Sequence, residues 1–153
     1  MTDLRAIADR IEIEALRGEF SDARMMEDYE RLLALFTADG GLRIPEAGVR
    51  YDSREEIRTG IARLSQLWEF FVQTTHPGVI ELNGDTAVGR CYLHELGRFR
   101  DGTSHSNYGV YHDTYRRTED GWKFTLRVYE IRYHDEVALP GSASYEPLAI
   151  LDV

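Results

Sequence analysis

The sequence contains a single cysteine, Cys91, among its 153 residues. One cysteine excludes an internal disulfide and any metal site built from several thiolates. We expect Cys91 to be a small buried hydrophobe rather than a nucleophile. No apolar run approaches the ~20 residues that cross a bilayer. Because the first predicted helix is acidic, it does not resemble a signal peptide, and the expectation is a cytoplasmic protein without a membrane partner.

Positive charge is also scarce. Lys123 is the only lysine, and 18 basic residues stand against 27 acidic ones, for a net charge of −9. This balance, without any basic run, argues against a nucleic-acid partner. The length suits one domain, 1–153, that buries roughly two-thirds of its unfolded surface.

The common cofactor and metal motifs are absent. The sequence has no HExxH, CxxC, GxGxxG, Walker or GxSxG motif. No two of the five histidines have the spacing of a metal site on one helix; they are His76, His94, His105, His112 and His134. We therefore expect no metal and no organic cofactor. What remains is a site built from histidine, carboxylate, tyrosine and arginine.

Residues 1–69 are predicted to be mainly helical. Side chains that can cap a helix precede three apolar patterns: Thr2 or Asp3, Asp28, and Ser53 in a capping box with Glu56. The predicted apolar faces are Leu4, Ile7, Ile11 and Ala15; then Tyr29, Leu32, Leu33 and Phe36; then Ile57, Ile61, Leu64 and Trp68. Asp39-Gly40-Gly41 should end the second helix, because glycine readily takes the left-handed C-terminal position. A short strand is expected at residues 42–44.

Residues 70–135 form four β-rich segments. They are separated by the turn dipeptides Asn83-Gly84, Asp101-Gly102 and Asp120-Gly121. Helices followed by a four-stranded antiparallel meander predict an α+β fold. Residues 136–153 are expected to be an irregular tail.

Alternation in the second of these segments divides its side chains between two faces. Ala87, Gly89, Cys91, Leu93 and Glu95 share the face expected to meet the helices, and the opposite face is expected to be half-solvated. Glu95 would then point inward, where a carboxylate needs a partner or a shifted pKa. Its alternatives are a strand-end position in water or a pair with an arginine.

His76 precedes Pro77, so its backbone is restricted to extended geometry. An imidazole titrates near neutrality and could move a proton, although a structural histidine at a strand start is an equally acceptable interpretation. Tyr111 lies in a tyrosine-rich segment, where core and interface residues are commoner than acids.

Several segments, in this order and spacing, resemble the SnoaL-like branch of the nuclear transport factor 2-like superfamily. They are Asp28-Tyr29-Glu30, residues 35–40, Thr74-Thr75-His76, residues 84–87, residues 109–117, and Gly121-Trp122-Lys123-Phe124 with Arg127. The resemblance implies a cone-shaped, cystatin-like fold in which a curved antiparallel sheet wraps around N-terminal helices and leaves an apolar pocket. It also implies cofactor-independent lyase or isomerase chemistry, of the dehydratase or polyketide cyclase type, and a homo-oligomer (dimer or trimer) formed through the sheet.

The resemblance further implies a catalytic histidine, matched by His76, oriented by an aspartate whose position is occupied here by Met25. Asp22, one turn earlier, or Glu95 could replace that carboxylate. Tyr111 and Arg127 match positions that line the family pocket, although Arg127 would need a β-bulge to face inward. The other expected pocket residues are Tyr29, Leu64, Trp68, Phe71, Leu93 and Asn107.

Three functional hypotheses follow. In the first, the chain is a lyase or isomerase acting on a small apolar, cyclic or polyketide-like molecule. His76 is the acid or base, assisted by Asp22 or Glu95, and Tyr111 and Arg127 stabilise developing negative charge. The second is a non-catalytic binding or assembly module, which is suggested by Met25 at the position of the expected aspartate. The third is the small subunit of a ring-hydroxylating oxygenase.

Overall fold

The computed structural model describes residues 3–143, which form three α-helices and a six-stranded sheet. The helices are α1 (Leu4–Met25), α2 (Tyr29–Ala34) and α3 (Arg54–Ser65). The strands are β1 (Phe36–Ile44), β2 (Val49–Tyr51), β3 (Trp68–Asn83), β4 (Thr86–Phe99), β5 (Ser104–Thr118) and β6 (Gly121–Asp135). In this part of the chain, no helix is long and apolar enough to span a membrane.

The sheet order is β2-β1-β6-β5-β4-β3. Strands β3 to β6 form the predicted antiparallel meander. All three predicted turns are present, and Gly84, Gly102 and Gly121 adopt φ values of +60°, +92° and +91° in them. These left-handed conformations are readily accessible to glycine, which explains why the turn dipeptides locate the strand ends so well.

Strand β1 differs from the prediction. The second helix was expected to run to Phe36 and to end at Asp39-Gly40-Gly41, but α2 ends at Ala34 and a nine-residue strand begins at Phe36. This strand pairs in parallel with β6. A Cβ on Gly40 would lie 2.9 Å from the Thr37 carbonyl oxygen and 3.0 Å from that of Phe124. Glycine therefore allows close backbone contact here and does not end a helix.

The predicted apolar face of α1 is also wrong. Leu4, Ile7 and Ile11 are 77%, 43% and 64% exposed, and Ala15 is exposed as well. The buried residues of α1 are Asp9, Ile13, Leu16, Arg17, Phe20, Ser21 and Ala23. Three of these are polar, so a search for apolar periodicity alone selects the wrong side of the helix. The helix also continues through Gly18, with Asp3 as its N-cap.

The two faces of β4 are as predicted. Ala87, Cys91 and Leu93 are at most 3% exposed on the inner face, whereas Val88 and Tyr92 are 48% and 46% exposed on the outer face. Helix α1 covers the inner face and reaches the sheet with polar as well as apolar side chains. Association of copies through the outer face stays a prediction.

Candidate functional site

The inner face of the sheet carries two groups of polar side chains. We call Arg17, Cys91, Asp113, Tyr115 and Arg127 the arginine cluster, and Ser21, Gln73, Glu95 and Asn107 the Glu95 cluster. Tyr111 joins them: the Arg127 guanidinium carbon lies 3.8 Å from the centre of its ring, and its hydroxyl accepts a 2.9 Å hydrogen bond from Gln73 Nε2. Tyr111 therefore faces inward and is 3% exposed, and its catalytic role stays a prediction.

The arginine cluster is held by a fully buried ion pair. Arg127 donates from Nε and Nη2 to the two carboxylate oxygens of Asp113, at 2.8 Å each, and both side chains have 0% exposure. Tyr115 also donates to Asp113 at 2.8 Å and accepts from Arg17 at 2.9 Å. Burial lowers the pKa of Arg127, but the charge and the hydrogen bonds of Asp113, together with Cys91 and Tyr111, raise that pKa overall.

A register shift explains how Arg127 reaches the interior. Thr114 pairs with Leu126 but Tyr115 pairs with Phe124, so one residue of β6 is skipped. This is the β-bulge that an inward Arg127 requires, since Phe124 faces inward as well. Because its bidentate pair with Asp113 and its aromatic contacts fix the guanidinium, the structure supports a structural role for Arg127. The predicted catalytic role of Arg127 has no direct test.

The three strand residues of the Glu95 cluster form a row across neighbouring strands, and His134 continues it. Gln73, Glu95, Asn107 and His134 lie opposite one another in the pairing of β3, β4, β5 and β6. Gln73 Nε2 donates to Glu95 Oε2 and Asn107 Nδ2 donates to Oε1, both at 3.0 Å. Among the described residues Glu95 has no ion pair. Its inward orientation is therefore confirmed, and its partners are neutral amides instead of an arginine.

The amides of this cluster are themselves oriented by further hydrogen bonds. Ser21 Oγ donates to Gln73 Oε1 at 2.8 Å, and His134 Nδ1 lies 2.6 Å from Asn107 Oδ1. Tyr129 is 4% exposed, and its hydroxyl has no hydrogen-bond partner in the described chain. Burial, and then the negative charge of Glu95, raise the pKa of Tyr129. The Tyr129 hydroxyl therefore stays protonated beside a carboxylate.

A cavity of about 1180 Å³ lies between the end of α1 and the start of β3. Met25, Tyr29, Trp68 and Phe71 line it as predicted, while Leu93 is packed in the core at 2% exposure. Leu64 is partly buried and does not belong to the described lining.

Glu95 and Asn107, two of the predicted pocket residues, are not among the residues that line this cavity. The inward positions alternate along β3, so Gln73 and Glu95 form the next inward pair after Phe71 and Gly97. Glu95 is only partly buried. The Glu95 carboxylate, fixed by two amides, therefore lies one inward pair beyond Phe71, which lines the cavity.

His76 does not lie in this site. Its side chain is exposed, and it is paired with Tyr92, which is 46% exposed on the outer face of the sheet. Gln73 is inward at 2% exposure. Because the register between these two positions of β3 is regular, His76 must face the other way. The expected pocket position of His76 is wrong, and a catalytic role for His76 gains no support from its placement.

Asp22 does not replace the missing aspartate either. Its carboxylate is 51% exposed and bonds to Arg31 of α2. Met25, at the expected aspartate position, lines the cavity. Of the two carboxylates considered from the sequence, Glu95 is therefore the one that reaches the site.

Gln73 and Ser21 are site residues that the sequence reasoning missed. A usable signal was present, because strict alternation cannot place both Phe71 and His76 on the inner face. Accepting Phe71 as inward makes Gln73 inward and His76 outward. Ser21 had no comparable signal, since its burial depends on contacts with a strand 52 residues away.

A model of the SnoaL-like domain family matches residues 5–128. The fold is similar to that of a hexachlorocyclohexane dehydrochlorinase (LinA-type3) from Novosphingobium barchaimii, at 21% identity and TM-score 0.81, covering 95% of this chain and 100% of that one. It is similar to a protein from Novosphingobium aromaticivorans proposed to be a scytalone dehydratase, at 17% identity and TM-score 0.78, with coverage of 96% and 97%.

A third similar structure, also from Novosphingobium aromaticivorans, is proposed to be an aromatic ring hydroxylase. Its identity is 25% and its TM-score 0.78, with coverage of 83% of this chain and 91% of that one. No curated protein sequence matches the chain significantly. These likenesses confirm the predicted cone-shaped α+β fold.

Proposed function

Since the chain belongs to the SnoaL-like domain family, we propose that it is a cofactor-independent lyase or isomerase acting on a small, largely apolar molecule. Two proteins of similar fold carry the names of a dehydrochlorinase and a dehydratase, and both names denote eliminations. The observation that carries the proposal is the inward Glu95 carboxylate, which is held by two neutral amides one inward pair beyond Phe71 of the cavity lining.

In this proposal, Glu95 removes a proton from the bound molecule. General-base catalysis needs a carboxylate within reach of the substrate and fixed in orientation. Gln73 and Asn107 fix both oxygens at 3.0 Å, and no described cation neutralises the charge. A carboxylate in apolar surroundings is a stronger base than one paired with arginine.

The Tyr129 hydroxyl supplies the complementary group. It is protonated and close enough to Glu95 for the carboxylate to raise its pKa. Donation from this hydroxyl to an oxygen or leaving group that gains negative charge would stabilise the transition state. The catalytic pair proposed here is thus Glu95 and Tyr129, with Tyr111 positioning Gln73.

The test compares the wild type with Glu95→Gln on two elimination probes, hexachlorocyclohexane and 5-nitrobenzisoxazole. Loss of a general base is expected to lower the rate by about 10²-fold or more. Glu81→Gln is the matched control, because Glu81 lies on β3 with an exposed side chain. His76→Ala should also leave the rate unchanged. Wild-type turnover that persists in Glu95→Gln would refute the assignment.

A second candidate function is a non-catalytic module that binds apolar molecules. It is favoured by the residues around Glu95, where a glutamine occupies the inward position of β3 and Met25 lines the cavity. Under this alternative the wild type binds the two probes and converts neither. Measuring binding and turnover on the same samples separates the two functions.

A further inference from the structure

Three potential metal ligands meet at one end of the sheet, beside the cavity. The pairing of β5 and β6 places Asn107 opposite His134 and Ser106 opposite Asp135. Continuing this register places His105 opposite Glu136, on the same face. One ligand atom from each of His105, His134 and Glu136 lies within 4.8 Å of the others. The cluster is built across two strands, so helix-based metal motifs in the sequence could not reveal it.

Each ring nitrogen of His134 contacts a different side chain, Asn107 or Glu136. Asn107 donates through Nδ2 to Glu95, so its Oδ1 faces His134 Nδ1 at 2.6 Å and requires a proton there. The other nitrogen, Nε2, lies 3.2 Å from Glu136 Oε1. Nε2 and this carboxylate oxygen are therefore close enough to contact the same cation.

His105 contributes an independent observation. Its Nε2 is buried and has no hydrogen-bond partner in the described chain. The ring is held in place by Phe99 and His134, with ring centres 4.7 Å and 5.1 Å away. A fixed imidazole with an unused buried nitrogen is typical of a metal ligand.

We propose that His105, His134 and Glu136 bind one divalent transition-metal ion of the Zn²⁺ type. Two imidazoles and one carboxylate suit Zn²⁺ and the neighbouring divalent ions. Bond lengths of about 2.0–2.1 Å around a tetrahedral ion imply ligand atoms roughly 3.3 Å apart. His134 Nε2 and Glu136 Oε1 are 3.2 Å apart, and the side chain of Glu136 is 65% exposed and free to adjust.

In this site Asn107 has the role of an orienting partner. A metal-ligating histidine usually donates its other ring N–H to an oxygen, which fixes the ring and its tautomer. The Asn107 Oδ1 contact provides that arrangement for His134. Three protein ligands leave at least one coordination position for water or another ligand. The metal site does not depend on the proposed elimination activity.

The experiment is a calorimetric titration of Zn²⁺ into tag-free, chelator-treated full-length protein, repeated with Co²⁺ while following its visible absorption. We expect one ion per chain. His105→Phe keeps the aromatic packing and Glu136→Gln keeps the side-chain size, and each should weaken binding by about 10-fold or more. Far-UV circular dichroism verifies the fold of both variants.

His112→Gln is the matched control. His112 Nε2 lies 2.7 Å from a carboxylate oxygen of Glu130 on the outer face, so it tests whether any exposed histidine–carboxylate pair binds Zn²⁺. Its affinity should equal that of the wild type. Absence of stoichiometric binding, or equal binding by wild type, His105→Phe and Glu136→Gln, would overturn the proposal.

Discussion

The arginine cluster and the Glu95 cluster share one sheet face and treat a carboxylate in opposite ways. Asp113 has 0% side-chain exposure and is neutralised by a bidentate arginine. Glu95 is partly buried and receives two amide hydrogen bonds with no arginine. A buried charge must be compensated to be tolerated at all. The first carboxylate is compensated by a fixed cation, and the second by neutral donors and partial access to water.

The different donors of the two carboxylates indicate a structural role for Asp113 and a chemical role for Glu95. A carboxylate bound at both oxygens by arginine is a weak base, because the cation stabilises its ionised form. The Glu95 carboxylate has two amide donors and, among the described residues, no cation that fixes its charge. The comparison also explains why inward position alone, which Arg127 and Glu95 share, is insufficient to identify a catalytic residue.

Arg127→Met should have the largest effect on stability. It removes the buried partner of Asp113, and breaking such a pair costs about 3–5 kcal/mol in the free energy of unfolding. Urea unfolding followed by far-UV circular dichroism measures this change. The double variant Arg127→Met/Asp113→Asn should regain a large part of the loss, because it removes both charges.

The matching change in the other cluster is Glu95→Gln, which keeps the size of the side chain and a group able to accept hydrogen bonds. The new amide nitrogen cannot accept from Gln73 or Asn107, so one of these donors loses its acceptor. The effect on unfolding should therefore be about 1–3 kcal/mol, smaller than for Arg127→Met. If Glu95→Gln destabilises the protein as much as Arg127→Met, both clusters are structural and the comparison fails.

Asp9→Asn tests an intermediate case. Arg117 bonds to Asp9 at 2.7 Å, the Trp122 indole N–H donates to it at 3.1 Å, and Asp9 is 6% exposed. The Arg117 hydrogen bond is the largest cause of a lowered pKa for Asp9. Leaving these donors without an ionised partner should cost about 1–3 kcal/mol at pH 7.

The sign of the pH effect follows from that lowered pKa. Ionised Asp9 contributes stability above its unfolded value of 3.8, and the contribution is lost as the pH falls through the lower folded value. The stability difference between wild type and Asp9→Asn should therefore shrink below about pH 4. Urea unfolding at pH 7, 4 and 3 measures it, with the exposed Asp120→Asn as control. A difference that stays constant down to pH 3 would contradict the pKa shift.

The parts of the fold that local sequence determines were predictable. The meander follows from three turn dipeptides, and the faces of β4 follow from alternation, which correctly turned Glu95 inward. Strand β1 was missed because glycines that permit close packing look like a helix stop in sequence. Its pairing with β6 joins segments about 85 residues apart, and local patterns contain no information on that contact.

The polar contacts of α1 could not be predicted either, because they too join residues that are far apart in the sequence. Asp9 and Arg17 are buried because partners about 100 residues later compensate them. Without those partners, both residues belong on an exposed face, and the apolar residues opposite them look like the core. In the site, the error on His76 came from giving a resemblance more weight than the alternation of the strand.

The smallest expected effect concerns Cys91, whose thiol should be unreactive in the native state. Cys91 has 0% exposure, and Arg127 Nη2 lies 3.5 Å from its sulfur. Burial raises the pKa of Cys91 to about 11, so only about one thiol in 1,000 is ionised at pH 8. Labelling by a thiol-specific disulfide reagent at pH 8 should therefore be slow in the wild type and in Glu95→Gln. It should accelerate in Arg127→Met, because loss of the ion pair loosens the cluster around the thiol. Equal labelling rates in all three proteins would show that the ion pair of the arginine cluster does not limit access of the reagent to Cys91.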